Sequence, residues 1–482
     1  MKLGTGRIVI TAAVALVTAG IGPAVADPVA TPQPEAVPVV RFGADERVRQ
    51  EYFDHIPVKS DGDARGGEND YFRFRTRVWS EADAGPNVTF RIRAVNEMRD
   101  WLYPDVSQKM QRSTYEWPDE IVFDAAYMDV HGLFNDTLDL RVGRQDLIYG
   151  TGKVILEGTP GDGSRTIYFN AVKAVLKPAP KTTIDVFGIY NPAQDEFAIN
   201  PADPARDESA MPATMNGMLE RGAGVYAKNQ TFASLPFEVY GIYKSEGTQA
   251  INVKPDAKGN LPQPTAPWQT LDVAAKQVDV AAADIGTVGT RLMPKLTDSL
   301  SGNLELAYQF GTRGDADINA YMADAFVVQQ LPGSMKPAVD AGVYYLSGDR
   351  KSTQDEEGWD PLWARYPQYS ELYVYAYDSD MLAAGWNNLC MPHAGLTLNP
   401  LAKLKTTLSV NYLYAPEADG PGGGHERGWL GIFKNEFTLA ENKWLPKDKL
   451  TGHLWLEVLN PGDYYNVNDL ALFARWEFCY AF

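Results

Sequence analysis

Apolar and polar residues alternate along most of this chain. Between Thr137 and Lys177, Leu138, Leu140 and Val142 fall on one side and Asp139 and Arg141 on the other; further on, Ala174 and Leu176 oppose Lys173 and Lys177. A period of two is the signature of a β-strand, whose successive side chains leave opposite faces. The pattern recurs near 39–53, 70–80, 87–97, 120–131, 137–147, 165–176, 181–191, 219–229 and 235–244. A second set follows near 284–293, 300–311, 318–329, 336–347, 384–398, 402–414, 428–440, 449–460 and 469–482. That makes eighteen strands, most of them about ten residues or slightly longer, the length a tilted strand needs to cross a bilayer. No run of helix-period segments lies between them.

The connections alternate as well. Even-to-odd joints are short: GPN near 86, FND at 134–136, KPAPK at 177–181 and LPKDK at 445–449. Odd-to-even joints are mostly long and polar, at 54–69, 98–119, 148–164, 192–218, 245–283 and 348–383. Short turns on one side and long loops on the other are the mark of a transmembrane antiparallel up-and-down β-barrel, all-β, with periplasmic turns and extracellular loops. A soluble sandwich or propeller has no reason to keep every second loop short. The last strand agrees. Leu470, Leu472, Ala474, Trp476, Phe478, Tyr480 and Phe482 form one apolar, aromatic face that would be an aggregation hazard in water. Such a strand resembles the signal read by the barrel assembly machinery.

If the apolar face meets outer-membrane lipids, the other face lines a lumen. Phe72, Phe74 and Val78 then point out while Arg73, Arg75 and Arg77 point in, and Arg91 and Arg93 repeat the arrangement in the next strand. Arg41, Arg47, Arg49, Arg141, Lys173, Lys434 and Arg475 take inward positions by the same parity. A basic stripe would lower the energy of an anion in a narrow passage. Inward carboxylates, namely Asp45, Glu51, Asp129, Asp139, Glu305, Glu436, Glu457 and Glu477, support a second reading in which cross-strand pairs brace the wall. The expected pore lining is therefore Arg73, Arg75, Arg77, Arg91, Arg93, Arg141, Lys173, Lys434, Arg475 and Glu477. Parity puts Arg144 on the Val142 face, and Gly143 offers a bulge that would re-aim it.

Residues 1–26 read as a secretory signal: Lys2 and Arg7, an apolar run from Ile8 to Ile21, and Ala24-Val25-Ala26 as cleavage site. Asp27 to Pro38 is a Pro-rich, aperiodic lead-in, and 39–482 is the barrel. The formal charge of −18 excludes a nucleic-acid footprint. Two cysteines, Cys390 and Cys479, are too few and too far apart for a disulfide scaffold; a single bridge or two inert thiols both fit, and inert thiols are the favoured reading. Catalytic signatures are missing. The five histidines show no HExxH spacing, GxSxG is absent, and Gly161-Asp-Gly-Ser164 is a turn signal. No cofactor is implied. Asp355, Glu356 and Glu357 could hold Ca²⁺ but read more simply as a solvated charge cluster.

Several motifs carry a resemblance. Arg141-Val-Gly-Arg-Gln-Asp-Leu-Ile-Tyr-Gly150 with Tyr168-Phe-Asn-Ala-Val-Lys173 resembles the alginate-export family of outer-membrane β-barrels. So do Leu346-Ser-Gly-Asp349 with Gly358-Trp-Asp-Pro-Leu-Trp363, Trp386-Asn-Asn-Leu389 with Ala394 to Pro400, and Ala126-Tyr-Met-Asp-Val130. The family's FDPLF is WDPLW here, the aspartate of its FDA step is Asn170, and loop 245–283 has no counterpart. The resemblance implies a monomeric eighteen-stranded barrel whose arginine-rich pore passes an anionic polysaccharide outward. The expected function is thus an outer-membrane channel for an anionic saccharide or polysaccharide, with loops 98–119, 148–164 and 348–383 shaping its outer mouth. The alternative is a general or nutrient porin taking up small, including anionic, solutes.

Overall fold

A computed structural model describes residues 39–56, 68–103, 115–116, 121–156, 168–195, 197–199, 218–252, 269–364, 370–372 and 387–482. Residues 1–38, with the expected signal and lead-in, lie outside the described residues. Eighteen long strands form the wall. They are β1 (Val39–Asp54), β2 (Asn69–Asp83), β3 (Val88–Tyr103), β4 (Ile121–Gly132), β5 (Leu138–Gln145) and β6 (Phe169–Ala179). Next come β7 (Thr182–Asn191), β8 (Glu220–Asn229), β9 (Phe237–Glu246), β10 (Ala283–Leu292), β11 (Leu300–Arg313) and β12 (Ala316–Gln330). The last six are β13 (Ala338–Leu346), β14 (Leu389–Leu401), β15 (Leu404–Tyr414), β16 (Glu426–Glu441), β17 (Lys449–Pro461) and β18 (Ala471–Ala481).

Each strand pairs antiparallel with the next, and β18 pairs with β1 from Asp45↔Ala481 to Asp54↔Leu472. The sheet is closed, so no edge of this wall is left to pair with another chain. All eighteen segments read from the sequence correspond to one of these strands. The turns explain their own brevity: Phe134, Asn135 and Asp136 all have positive φ, reversing the chain in one left-handed step between β4 and β5. Phe90, Ile92, Val172, Val225, Val288, Leu306, Val327, Val410 and Phe478 stand exposed on the outside. A continuous apolar band of this kind is stable against lipid and not against water. The barrel therefore belongs in the outer membrane.

One register break separates β3 from β4, between Arg93 and Ala94. Asp124 is the extra residue, and the bulge turns its carboxylate inward. In contrast β5 pairs with both neighbours without interruption through Gly143, so the expected bulge at that glycine does not form. Gly143 is required for another reason. Its φ is 124°, and a Cβ there would lie 2.3 Å from the Ala126 carbonyl oxygen. Arg144 keeps its alternating position and is buried beneath the chain following β7. Its guanidinium donates to Asn170, Asp195 and the Phe123 carbonyl at 2.8–2.9 Å, with the rings of Tyr168 and Phe197 on it.

Loop 245–283, which shows no clear pattern in the sequence, contains a separate three-stranded sheet: Gln249–Asn252 and Gln269–Asp272 flank Gln277–Val280. The loops after β5 and β13 do something the pattern gave no hint of. Their described residues turn into the barrel, and their apolar side chains join a buried cluster in its loop-side half. Phe53, Tyr71, Trp101, Leu147, Tyr149, Ile155, Phe187, Tyr226, Leu346, Trp359, Leu362, Trp363, Leu459 and Phe473 belong to one buried cluster there. Burying indoles and other large rings is the strongest apolar contribution available to such a plug.

Candidate functional site: a lumen with one braced wall and one open wall

The first inner loop runs from Asp146 to Leu156. Tyr149 stacks between Phe187 and Tyr226, with ring centroids 5.3 and 4.5 Å away, and donates its hydroxyl to Asp185 at 3.1 Å. Thr151 reaches Glu305 at 3.4 Å, and the Lys153 ammonium sits 3.7 Å from the centre of the Tyr344 ring. This loop thus crosses from β5 to the wall of β11–β13.

The second inner loop begins after β13. Trp363 donates its backbone N–H to the Val154 carbonyl at 3.1 Å, joining the two loops. Its fully buried indole lies over Gly222, where a Cβ would be only 2.2 Å from the ring. The buried Lys244 ammonium donates to the Leu362 carbonyl at 2.6 Å and lies beside Glu220 and Glu246. Arg313 binds Glu356 at 2.9–3.0 Å, Glu246 at 3.0 Å and Asp360 at 3.3 Å. Further along, Ser370 and the backbone N–H groups of Glu371 and Leu372 converge on Glu457 at 2.7–2.9 Å. The expected solvated cluster at 355–357 is therefore corrected: Glu356 and Glu357 are buried and bound to Arg313 and Arg350. These acids anchor a loop. Burial pushes the Glu356 carboxyl up to about 7, outweighing the pull of Arg313 in the other direction. Arg350 holds Glu357 below its ordinary range.

Each of the arginines expected in the pore has carboxylate partners. Arg73 is bidentate to Glu97 at 2.6 and 3.0 Å. Arg75 and Arg77 share Asp45 at 3.0 and 2.6 Å. Arg91 donates to Glu81 at 3.0 Å, and Arg93 to Asp124 and Asp146 at 2.7 and 3.1 Å. Arg141 is bidentate to Asp129 at 2.6 and 2.8 Å, with Lys173 opposite it in register on β6. Arg475 binds Glu51 and, at 3.0 Å, Glu371 of the inner loop. Glu477 lies 3.6 Å from each of Arg47, Arg49 and His453. The β18–β1–β2–β3 wall is therefore a lattice of alternating charge, with Arg47, Arg49, Arg75 and Arg475 almost wholly covered.

Open space lies against the opposite wall. One cavity of about 800 Å³ runs between the first inner loop (Thr151 to Lys153 and Leu156) and the inner faces of β12–β17. A second, of about 890 Å³, continues it to the short-turn end past Lys403, Glu441, His453 and Glu477. Lys405, Lys434, Glu436 and Trp455 line both, making one passage. Of the ten expected pore residues, Lys434 and Glu477 border these cavities. Asp324, Asp340, His393 and Lys405 also border them and did not enter the sequence reading, although alternation alone puts Asp324, Asp340 and Lys405 on inward positions.

By sequence, no protein-family model and no curated protein matches the chain. By structure, it is similar to a BenF-like porin from Pseudomonas fluorescens Pf-5, with TM-score 0.55 and 10% identity over 92% of this chain and 98% of that one. This is the fold of the outer-membrane porins. Acinetobacter baumannii OccAB3 gives TM-score 0.54 and 9% identity, covering 92% and 99% of the two chains. Pseudomonas aeruginosa OccK2, solved in complex with glucuronate, gives 0.53 and 10%, covering 92% and 97%. At such identities the likeness concerns the porin barrel and not the solute it passes.

Proposed function

We propose that the chain is a diffusion channel for small polar solutes. The observation that carries this reading is the position of the passage. Two inner loops, anchored by buried tryptophans and ion pairs, pack inside the loop-side half of the barrel, and among the described residues open space lies against the β12–β17 wall. An uptake porin needs such a constriction to sort solutes by size and polarity. A small sugar acid, glucuronate, is bound in one barrel of this architecture, P. aeruginosa OccK2. Outward passage of an anionic polysaccharide, the reading implied by the alginate-export motifs, has the arginine-rich wall in its favour. Against it stands the pairing of those arginines with Glu97, Asp45, Glu81, Asp124 and Asp129, which leaves little uncompensated positive charge.

The test is solute release from proteoliposomes containing the purified barrel. Monosaccharides and sugar acids are expected to leave quickly, with release falling steeply for tri- and tetrasaccharides. Equal release of long uronate oligomers would overturn the small-solute reading in favour of polysaccharide passage. No release of any solute would overturn both.

A further inference from the structure

We infer that the open wall selects zwitterions whose opposite charges stand several ångströms apart, with short peptides as the solute class. The inference deepens the small-solute reading and rests on it. Its basis is the division of charge within one cavity. Asp324 on β12 and Asp340 on β13 mark one edge, and Lys405 on β15 and Lys434 on β16 the other. Between them lies a floor without charge: Gly395 and Thr397 of β14, then Thr407, Ser409 and Asn411 of β15.

The local pairs do not erase this division. At the acidic edge two carboxylates face one ammonium, Lys153, which is 4.0 Å from Asp324. His393 lies 3.5 Å from Asp340. At the basic edge two ammonium groups share one carboxylate, Glu436, at 3.2 and 3.5 Å. Counted over carboxylates and ammonium groups, one edge is thus short of one positive charge and the other of one negative charge. Neither an anion nor a cation gains from the cavity as a whole, whereas a dipole laid across it gains at both ends.

The register sets the span. Asp340 pairs with Gly395, Gly395 with Ser409, and Thr407 with Lys434, so three inter-strand steps separate the acidic strand β13 from β16. At about 4.8 Å per step, with Lys434 two residues further along β16 than the partner of Ser409, the backbones of Asp340 and Lys434 are about 16 Å apart, and the two side chains shorten the gap. An α-amino acid is too short to reach both. An extended chain spans about 3.3–3.6 Å per residue, so a di- or tripeptide fits. Its amide groups would meet the hydroxyls of Thr397, Thr407 and Ser409 and the Asn411 amide, which both donate and accept.

Four probes of one size isolate the effect: trialanine, its C-terminal amide, its N-acetyl derivative and the N-acetyl amide. They are, in order, zwitterion, cation, anion and neutral molecule. Release of each from proteoliposomes at pH 7 would be followed by chromatography. Trialanine is expected to leave several-fold faster than the other three. Lys405→Gln with Lys434→Gln should favour the cation over the zwitterion, and Asp324→Asn with Asp340→Asn the anion. Asp324 is nearly buried, so if its variant fails to fold the lysine pair, at a more exposed edge, still decides. Equal release of all four probes, or fastest release of the anion, would overturn the inference while leaving a working porin. Failure to release even glycerol would instead remove the small-solute reading beneath it.

Discussion

Gly222→Val is the most direct way to ask whether the inner loops set the width of the channel. A Cβ at this position would stand 2.2 Å from the Trp363 ring and 2.7 Å from the Tyr243 carbonyl oxygen, well inside contact distance. The indole, fully buried in its present place, must leave. Removing an aromatic side chain of about 200 Å² from its pocket costs about 5 kcal/mol at 25 cal/mol per Å². Moving the chain also strains two hydrogen bonds, Trp363 N–H to Val154 and Lys244 to Leu362, each worth about 1 kcal/mol. That is enough to shift the loop from docked to largely undocked, and through Val154 it loosens the first loop too. Single-channel recordings in a planar bilayer are expected to show larger conductance and frequent switching between levels. Because the added methyl groups also press on the strand, Trp363→Ala is the companion: it empties the pocket and leaves the wall alone. Conductance and noise equal to wild type in both variants would refute the reasoning, for then the WDPLW segment does not bound the passage.

Three further outcomes follow from the same geometry. Glu356 has a folded-state pKa of about 7 against an ordinary 4.5, so the docked loop binds the proton more tightly than the released one. Docking is then most favourable below about pH 4.5, weakens by on the order of 3 kcal/mol as pH rises to about 7, and is flat above that. Channel noise should accordingly rise between pH 5 and 7.5, and Glu356→Gln should remove the dependence; an unchanged pH profile in that variant would count against the assignment. Replacing Arg73, Arg75 and Arg93 together by alanine leaves Glu97, Asp45 and Asp124 without these partners. Reversal potentials under a salt gradient should stay close to wild type, because these arginines do not border the cavities along β12–β17, while thermal stability falls by several kcal/mol because buried ion pairs are broken; a strong move toward cation selectivity would mean that the arginine wall does border the ion path. Gly143→Ala must strain a φ of 124° against the Ala126 carbonyl, at a cost of about 1–3 kcal/mol. Its unfolding, followed by the loss of the compact form on heating in detergent, should start at lower temperature than in wild type, while single-channel conductance stays the same.

The wall was legible because lipid and lumen impose a strict alternation on every strand, and because turns on one side have to be short. Both constraints act on neighbouring residues, so eighteen strands could be read, most ends falling within about four residues of those observed and the far end of β3 running on to Tyr103. The three-stranded sheet in loop 245–283 was not legible: each of its strands has four residues, too few for a period of two to stand out from a Pro-rich background. Nor was the bulge at Asp124, since a single inserted residue breaks parity without leaving a marker such as glycine. The suggestion of a bulge at Gly143 erred for the complementary reason. Glycine was needed there for a positive φ beside the Ala126 carbonyl within an unbroken register.

Parity gives the side of the wall that a residue faces, and says nothing about what stands in front of it. Arg75 and Lys405 are both inward cations on regular strands, yet Arg75 is 4% exposed against Asp45 while the Lys405 side chain is 52% exposed beside the passage. The difference comes from contacts remote in sequence: Trp363 over Gly222, Lys244 on the Leu362 carbonyl, Arg475 on Glu371. These lean the inner loops on β8, β9 and β18 and leave open the stretch of the β12–β17 inner face that runs to the short-turn end. Density of arginine along the chain therefore marks the wall that most needs bracing, since each cation was supplied with a carboxylate at hydrogen-bonding distance. A solute meets the sparser charges instead, those of Asp340, Lys405 and Lys434, whose separation along the wall gives the passage a direction across its width.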